Sequence, residues 1–583
     1  MVSGKRLGLL AVSFVLALLA VWSLPRLEGT EESYAPVVAV WGTSWLFYCC
    51  VAAGMDGPWW RPAWGWREPV FLAALAAGAF GLRFWQLDSL PFTLGGDEAA
   101  QGLEVVRVLR GELRNPFGTG WLGVPTMSFF YNAWSVGWLG ANAGGLRLAW
   151  VVVGTLSVVT TYLLARRLSG PVTGWTAAFL VAVYHYHIHY SRLGSNQIAD
   201  TLFTSTSLWL LIRGVQTGAR GSFALAGCCA GLGLYGYAGA RLTAVLLLSV
   251  TVFLLLRSRG RVRARVAGGG LWMLGGFVLA AGPMIEHAVR RPDDFNARLN
   301  QIGILQNGWL TREVELTGRS AVELLFEQLQ RAALAFHVYP DQVVWYGLPE
   351  PLLDRVSGVL FVLGLAVAGT NLFRGSVRAR RAAPMLMWWL LGTVLGGALT
   401  VSPPSSQRLI GLSVPVCFFV ALALRGVMKQ ACRQVRGIRP GVGIVAGCAL
   451  FAAVSLHTYF LEYTPRRIYG GRHAELATML APEYRRVART HRVLFAGPPE
   501  MYWEFATNRY LAPEAEGEDV LGPVRLETAP VVLKPGRGAY FVILPSRLGE
   551  LEALRHWFPG GVERMVHSAG SGALLGVVYR TEP

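Results

Sequence analysis

Two adjacent carboxylates, Asp97 and Glu98, follow a Gly-Gly pair in the stretch LGGDEAAQGLEVVRVLRG, which covers residues 94–111. The flanking sequence is strongly hydrophobic, and the stretch itself is typical of a short amphipathic helix. Two interpretations are open for Asp97. It caps a helix that begins at Glu98, or it is a general base that takes a proton from an attacking group. Glu98, in the first turn, would suit the helix dipole.

Membrane-spanning helices must position these acids. The chain has 583 residues, of which 53% are hydrophobic and 15% are charged, whereas soluble domains carry about 25% charged residues. The charges are confined to short stretches between long apolar runs, so the composition predicts a polytopic membrane protein. The net charge of +18 does not indicate nucleic-acid binding, because the arginines cluster between apolar runs, where membrane topology accounts for them.

Apolar runs of about 17 or more residues qualify as spanning helices. Thirteen such runs lie near residues 7–24, 36–54, 69–87, 145–166, 172–189, 197–214, 222–238, 240–257, 270–287, 356–373, 384–401, 407–425 and 441–460. The first run lacks a convincing cleavage site, and we expect it to be retained as a span. The seven cysteines lie in or beside apolar segments without CxxC spacing, so they predict neither a disulfide framework nor a metal site.

Basic residues set the predicted orientation through the positive-inside rule. Five loops are rich in arginine and alternate correctly if all are cytoplasmic: they contain Arg166–Arg167, Arg213 with Arg220, Arg257 to Arg265, Arg374 to Arg381, and Arg425 to Arg436. The N-terminus is then cytoplasmic and the C-terminus extracytoplasmic. The apolar stretch 124–140 would reverse this pattern if it spanned, and its aromatic residues suit an interfacial helix. Residues 88–144 are therefore predicted to form an outer loop with two membrane-parallel helices, near 98–110 and 126–139.

The same outer face is predicted to carry residues 185–200, 234–242 and 402–409, the long loop 288–355, and the tail from 461. The tail has the pattern of a small α/β domain. Its predicted helices cover 472–489 and 547–556, and its predicted strands cover 491–497, 539–545 and 573–580. The predicted architecture is an all-α polytopic membrane domain, residues 1–460, followed by an extracytoplasmic α/β domain, residues 461–583.

Four arginines lie near predicted span ends on this outer face: Arg192, Arg241, Arg298 and Arg408. A carboxylate opposite several guanidinium groups, beside lipid, suggests a reaction on a lipid phosphate. Arginine would hold the phosphate, and the acid would deprotonate an acceptor hydroxyl or amine as it attacks.

A family resemblance follows from motifs that occur in order. They are Asp97-Glu98 in the first large outer loop, Pro125 with SFFYNAW, GGLRLAWVVVGTLSVVTTYLLARRL (144–168), HIHYSRLGSNQIADTLF (187–203), GLYGYAGARL (233–242), GPMIEHAVRRPDDFNARLNQI (282–302) and YTPRRIYGG (463–471). Over about residues 69–475 the chain resembles the protein mannosyltransferase and aminoarabinose transferase group of the glycosyltransferase C superfamily. It is nearest to the bacterial family 39-like membrane proteins.

The resemblance implies an inverting glycosyltransferase. A polyprenyl-phosphate sugar would lie in a cavity open to the outer leaflet, and an acceptor would attack the anomeric carbon as the lipid phosphate leaves. The general base of the family corresponds to Asp97, and Glu98 is expected to orient Asp97 or a neighbouring arginine. Arg147 matches the family arginine at the outer end of the second core helix, where an interface-anchored arginine is the alternative.

Other positions follow from the same resemblance. Arg192, Asn196 and Asp200 lie where the family often has a second acidic or polar contact, and Asp200 is preferred over Asn196 because it falls about one turn into the next span. Arg408 resembles a late arginine beside the cavity. Tyr235, Tyr237 and Arg241 would line the lipid or sugar pocket, unless they are ordinary interface residues.

Two departures from the family pattern reduce the range of substrates that the resemblance supports. Val124 precedes Pro125 where aminoarabinose transferases carry a phosphate-binding lysine, so the aminoarabinose substrate is not supported. The His-Pro-Pro pattern of protein mannosyltransferases is also missing. His185, His187 and His189 alternate at i, i+2 and do not share one helical face, so we expect interfacial residues and no metal site there. No cofactor is predicted, and a role for a divalent ion stays open.

Two other functions remain as alternatives. A transporter of polyprenyl-linked saccharides should place ionisable residues near the bilayer midplane, whereas here they follow the outer boundary. A lipid-linked saccharide ligase or polymerase usually has a large outer loop between late spans, and the loop 288–355 keeps that alternative open. The sequence identifies neither the sugar nor the acceptor, whether a lipid, a polysaccharide or a protein, and the expected location is the cytoplasmic membrane.

Overall fold

The protein is described here by a computed structural model that covers residues 4–56, 65–373, 379–434, 439–527 and 536–582. Arg374, Arg378 and Arg436, from two of the predicted cytoplasmic loops, lie outside the described residues. Within these ranges the chain forms a large helical part that is followed by a small α/β unit.

Long helices make up the first part. Numbered α1 to α20 in chain order, they are Gly4–Leu27, Ala35–Ala53, Arg67–Phe84, Gly96–Leu109, Met127–Leu139, Ala143–Ser169, Pro171–Val183, His185–Ser191, Ala199–Thr217, Arg220–Gly233, Arg241–Arg257, Gly260–Arg290, Pro292–Ile302, Trp309–Thr317, Ala321–Ala333, Arg355–Phe373, Ala383–Leu391, Ser406–Leu409, Ser413–Gln434 and Pro440–Leu456. A π-helical turn extends α17 over Gly392–Ala398, and another extends α20 over His457–Tyr463.

Each of the thirteen apolar runs contains helix, but fewer of these helices can be identified as spans. Eight described helices are long and apolar enough to cross a membrane: Arg6–Leu27, Ala35–Ala53, Ala143–Ser169, Ala238–Arg257, Gly260–Arg290, Arg355–Phe373, Ser406–Gln434 and Pro440–Arg466. Two shorter apolar helices cover Pro171–Val183 and Ala383–Ala398. The count of thirteen spans stays a prediction. The helices α4 and α5 lie within a residue or two of the two helices expected in the outer loop 88–144.

The tail has the expected α/β character. Its helices α21 to α23 are Gly471–Val487, Ala506–Leu511 and Leu551–Trp557, and its strands β1 to β5 are His491–Ala496, Gly517–Asp519, Gly538–Ile543, Val562–His567 and Leu574–Arg580. The strands form one sheet in the order β2-β1-β3-β5-β4, in which β1 is parallel to β2 and β3, and β5 is antiparallel to β3 and β4. The sequence pattern missed both edge strands, because β2 has three residues and β4 is mostly exposed.

Both faces of this sheet are covered, as the alternation along β1 shows. Val493 and Phe495 pack with α21 residues such as Leu480. Leu494 and Ala496 point the other way and pack in a second cluster with residues of α23. The unit therefore has its own two-sided core, as expected for a sheet with a central parallel strand.

Small residues bring α10 and α12 into close contact. A Cβ atom added to Gly227 of α10 would lie 1.8 Å from the backbone oxygen of Met273 in α12, and one added to Gly276 of α12 would lie 2.3 Å from the oxygen of Ala224. Backbones this close leave no room for a side chain, which is how small residues stabilise helix pairs within membranes.

Gly227→Ala is expected to destabilise the protein, because its methyl group would meet backbone atoms that cannot move aside. Overpacking typically costs about 1–3 kcal/mol, and the matched change Gly268→Ala, on α12 with no heavy atom within 4 Å, should cost nothing. Thermal unfolding of the two variants in detergent measures the difference. Equal midpoints would contradict this account of the α10–α12 contact.

Candidate active site

The two acids of the outer loop have different positions at the start of α4. Gly95 is the N-cap residue, and the Glu98 side chain accepts a hydrogen bond from the Gly95 N–H at 3.4 Å. The interpretation of Asp97 as the N-cap is therefore wrong: the helix begins one residue before Asp97. The helix start is satisfied by Glu98, and this leaves the Asp97 carboxylate unused by the cap.

Glu98 is the centre of a buried network. Its side chain is fully buried and forms an ion pair with Arg147, with Nε 2.8 Å from Oε1 and Nη2 3.3 Å from Oε2. Glu98 also accepts hydrogen bonds from the Gly194 N–H at 2.7 Å and from the Tyr469 hydroxyl at 2.9 Å. One carboxylate thus joins α4, α6, the loop after α8 and the segment that leads into the tail. The expectation that Glu98 orients a neighbouring arginine agrees with this geometry.

The tail packs directly on the Gly-Gly pair. A Cβ atom at Gly95 would lie 2.7 Å from the Tyr469 hydroxyl, and one at Gly96 would lie 2.7 Å from the Phe505 ring. Just before this pair, the Leu94 N–H donates to Thr478 and the Leu94 carbonyl accepts from Thr507. The two glycines are therefore required by the close approach of tail side chains, and the tail forms part of the support for α4.

Asp97 lies in the wall of a small concave pocket. Its carboxylate accepts no hydrogen bond from the described residues, and the side chain is accessible from the cavity. Surrounding protein nevertheless raises the pKa of the Asp97 carboxyl by burial, and the positive charge of Arg298 opposes that rise. We call this cavity the Asp97 pocket; its other lining residues include Gln101, Asn196, Gln197, Tyr237, Trp121 and Trp345.

A second, larger cavity of about 1100 Å³ adjoins it, and we call it the arginine cavity. Its polar wall contains Asp200 and three arginines, Arg241, Arg298 and Arg408. The rest of the wall is largely apolar and is formed by residues of α11, α13, α17 with its π-turn, and the segment before α19: Leu242, Val245, Leu299, Ile302, Trp388, Leu395 and Leu412. A wall that combines positive charge with a large apolar surface matches an anionic amphiphile.

Three residues line both cavities: Tyr237, Ala238 and Arg298. The carboxylate of Asp97 and the three guanidinium groups therefore face neighbouring parts of one concave region. The Arg298 guanidinium makes a 2.8 Å hydrogen bond to Gln301. Arg408 donates to Thr400 at 3.1 Å and to the Val401 carbonyl, while its buried Nε has no partner among the described residues. Both side chains thus keep donor capacity for a ligand.

Arg147 and Arg192 are not in this region as ligands, which corrects the sequence-based expectation. The Arg147 nitrogens are occupied by Glu98 and by the carbonyls of Leu87, Pro91 and Thr93. The Arg192 guanidinium donates to five carbonyl groups at and beyond the C-terminal end of α3: Leu82, Arg83, Trp85, Gln86 and Leu90. Such carbonyls have no partner within the helix, so both arginines hold the backbone.

The remaining candidates divide between the two cavities and the protein core. Asn196 lines the Asp97 pocket and Asp200 lines the arginine cavity, and the preference for Asp200 as the second contact stays a prediction. Tyr235 is misassigned: its buried hydroxyl donates to the Ala280 carbonyl and accepts from the Met284 N–H, away from both cavities. Tyr237, which was also predicted to line the pocket, does lie in the wall of both cavities.

The three histidines of α8 are buried and have separate partners, not the interfacial positions expected. His187 contacts Arg83 and Ser157, His185 contacts the Tyr346 hydroxyl, and His189 contacts the Trp345 carbonyl. Within the described ranges no group of three His, Cys, Asp or Glu residues is placed to hold a metal ion.

Several residues of the region were not singled out from the sequence. Trp121 and Trp345 come from loops far apart along the chain, and Gln101 has the ordinary appearance of a polar helix residue. Tyr469 and Gln197 lie within motifs of the family resemblance, but nothing in those motifs distinguishes them. Long-range contact, which periodicity does not reveal, brings them together.

Comparison with known proteins shows a partial match to one family and a likeness of fold. A family model described as dolichyl-phosphate-mannose-protein mannosyltransferase matches residues 124–285, a range that includes Asn196 and Asp200 but not Asp97. ArnT from Cupriavidus metallidurans bound to undecaprenyl phosphate has a similar structure, with a TM-score of 0.51 at 14% identity, covering 88% of this chain and 99% of that chain. The same protein in the apo state gives 0.50 at 14% identity, with 89% and 100% covered.

A third similar structure is the Archaeoglobus fulgidus oligosaccharyltransferase in the apo form, with a TM-score of 0.48 at 14% identity, covering 84% and 71% of the two chains. No curated protein matches the sequence. At 14% identity, the similarity to the two ArnT structures shows a shared fold only. The resemblance to the protein mannosyltransferase and ArnT-like group of the glycosyltransferase C superfamily is confirmed.

Glu98→Ala is expected to destabilise the protein strongly, because it leaves the Arg147 guanidinium buried without its counter-ion. Breaking a buried pair in this way costs about 3–5 kcal/mol. Glu104→Ala provides the matched control, since Glu104 is also on α4 but forms a partly exposed pair with Arg107, worth about 1 kcal/mol or less. Unfolding in denaturant compares the two. Similar losses would show that Glu98 does not have this central role.

Proposed function

We propose that the protein is a membrane glycosyltransferase that transfers a sugar from a polyprenyl-phosphate-linked donor to an acceptor. One observation carries the proposal: an unpaired carboxylate, Asp97, faces a pocket whose wall continues, through Tyr237 and Arg298, into an arginine-lined apolar cavity. This combination supports a base at Asp97 beside a site for an anionic lipid.

The arginine cavity suits the phosphate and the isoprenoid chain of such a donor. Guanidinium groups form charge-assisted hydrogen bonds with phosphate oxygens, and Arg298 and Arg408 have donors available for them. The apolar wall formed by residues such as Val245, Trp388 and Leu395 would contact the chain. Arg241 packs over the Phe295 ring at 3.6 Å and adds positive charge to the wall of the arginine cavity.

The reaction would proceed by direct displacement at the anomeric carbon. Asp97 takes the proton from the acceptor hydroxyl or amine as that group attacks, and the bond from the anomeric carbon to the phosphate oxygen breaks on the opposite face. The leaving phosphate keeps its electron pair, and arginines stabilise its charge. This geometry predicts inversion, with one acid as base. Glu98, held by Arg147 and Tyr469, acts by positioning α4.

The fold likeness supports the same substrate class. The similar ArnT structure was obtained with undecaprenyl phosphate bound, and by analogy we propose a polyprenyl phosphate as the lipid of the donor. We propose the cytoplasmic membrane as the location, with the α/β tail on the extracytoplasmic side, and no cofactor besides the lipid-linked substrate. Nucleic acid is not proposed as a partner, because the arginines between the apolar runs are accounted for by membrane topology.

Asp97→Asn is expected to abolish turnover while the protein stays folded, because the amide cannot accept the proton. Purified protein would be incubated with a panel of polyprenyl-phosphate sugars and candidate acceptors, and release of the lipid phosphate would be followed. A loss of at least about a hundredfold is expected for a general base.

Glu112→Gln is the matched control, since it removes an exposed acid just beyond α4 and should leave turnover unchanged. Full activity of Asp97→Asn would refute the assignment of the base. Transport of the lipid-linked sugar without turnover of any donor would favour the alternative of a transporter.

The pH dependence of kcat/KM should show an acid limb set by Asp97. Because burial raises the pKa of this carboxyl, activity should fall with decreasing pH at values above the ordinary aspartate range, which is about 3.9. The Arg298 charge lowers that pKa, so Arg298→Met should move the limb to higher pH. The exposed Arg312, changed to Met, serves as control. A limb that stays in place or moves to lower pH in Arg298→Met would contradict the proposed coupling.

A further inference from the structure

The Asp97 pocket contains buried hydrogen-bonding atoms that the protein does not use. Asn196 and Gln197 line the pocket and are 1% and 3% exposed. Asn196 Oδ1 and Gln197 Oε1 have no hydrogen-bond partner among the described residues. Buried polar atoms are normally paired, and leaving one unpaired costs about 1–3 kcal/mol. Two such atoms in one pocket beside a carboxylate point to a ligand that supplies donors.

The orientation of the Asn196 amide follows from its neighbour. Its Nδ2 is 2.6 Å from the Gly236 carbonyl oxygen, and only the amino side of an amide can donate to a carbonyl. Oδ1 is therefore the free atom, and it is an acceptor. Gln197 makes no hydrogen bond with its side chain in the described structure, so its amide is free to turn and to present either an acceptor or a donor.

The remaining wall supplies flat apolar surface. Trp121 and Trp345 are half-buried, and with the Tyr237 ring they border the pocket. Pockets that combine aromatic faces with a few placed polar groups typically hold compact organic ligands. A saccharide ring has the matching surface, since hydroxyl groups surround its edge and carbon–hydrogen bonds cover its faces.

We infer that the Asp97 pocket binds a saccharide ring without negative charge, whose hydroxyl groups donate to Asn196 and form hydrogen bonds with Gln197. The inference rests on the proposed function and adds the chemistry of the transferred or accepting group. An anionic ring is disfavoured, because its charge would lie near the Asp97 carboxylate and the Asn196 oxygen. Arg298 would not offset that charge, since it is engaged by the phosphate. The ring belongs either to the donor or to a saccharide acceptor, and the two sources share this chemistry.

Gln197→Met tests the inference, because methionine keeps nearly the same size and shape and removes only the amide. The purified full chain in detergent micelles is titrated with polyprenyl phosphate and with a polyprenyl-phosphate hexose. The variant should bind the hexose-bearing lipid about three- to tenfold more weakly, the loss expected for one neutral hydrogen bond. It should bind the bare lipid phosphate unchanged. Gln328→Met is the control: Gln328 on α15 is also buried with an unpaired Oε1 but lines neither cavity.

The outcomes separate the two sources of the ring. A selective loss for the hexose-bearing lipid assigns the pocket to the donor sugar. Unchanged binding of both lipids, together with a raised KM for a methyl glycoside acceptor, assigns it to the acceptor. No change in any of these quantities, or an equal loss for both lipids, overturns the inference. If the wild-type protein binds the hexose-bearing lipid more tightly but turns over no donor, the proposed function fails while the assignment of the pocket stands.

Discussion

The buried ion pair between Glu98 and Arg147 is the interaction on which the candidate site depends. Both side chains are fully excluded from solvent, and a charge in that position is tolerated only when it is paired and hydrogen-bonded. Glu98 meets this requirement with donors from α6, from the loop after α8 and from Tyr469. Satisfying one carboxylate therefore brings separate parts of the chain to the start of α4.

The position of Asp97 is a consequence of that network. Asp97 precedes Glu98 on the same helical turn, so its side chain points elsewhere and reaches the pocket wall. One acid of the pair is held by the protein, while the other is left for a ligand. The Gly-Gly pair before them has the same origin, because Tyr469 and Phe505 of the tail occupy the space that side chains would need.

The arginines fall into two groups, according to whether the protein's own acceptors occupy all of their donors. In an interior without water, backbone carbonyls at helix ends need donors. Arg83 donates to the Val181 and Ala182 carbonyls at the end of α7, and Arg192 serves the end of α3. These side chains have no donor left for a substrate. Arg298 and Arg408 have fewer protein partners and border a cavity, so they are the ones suited to an anionic lipid.

The sequence by itself determined the class of the protein and drew attention to the paired acids Asp97 and Glu98. Long apolar runs, the clustering of arginine and the alternation in the tail depend on local composition and periodicity, and these predicted the helices, the outer-loop helices α4 and α5, and the α/β unit. The ordered motifs pointed to Asp97 and to the glycosyltransferase C resemblance. The prediction missed the edge strands β2 and β4, the short helix α22, and the helices α13 to α15 within the segment expected to be a long loop.

Only the tertiary structure decided what each candidate side chain contacts. From the sequence, Arg147 and Arg192 looked equivalent to Arg298 and Arg408, since all lie near span ends. Their roles differ because hydrogen-bond partners come from segments far apart along the chain. For the same reason Tyr237 was not distinguishable from Tyr235, and Gln197 was not singled out although it adjoins the candidate Asn196. Which donors and acceptors remain free for a ligand is settled by packing, since only packing determines which polar groups the protein itself satisfies.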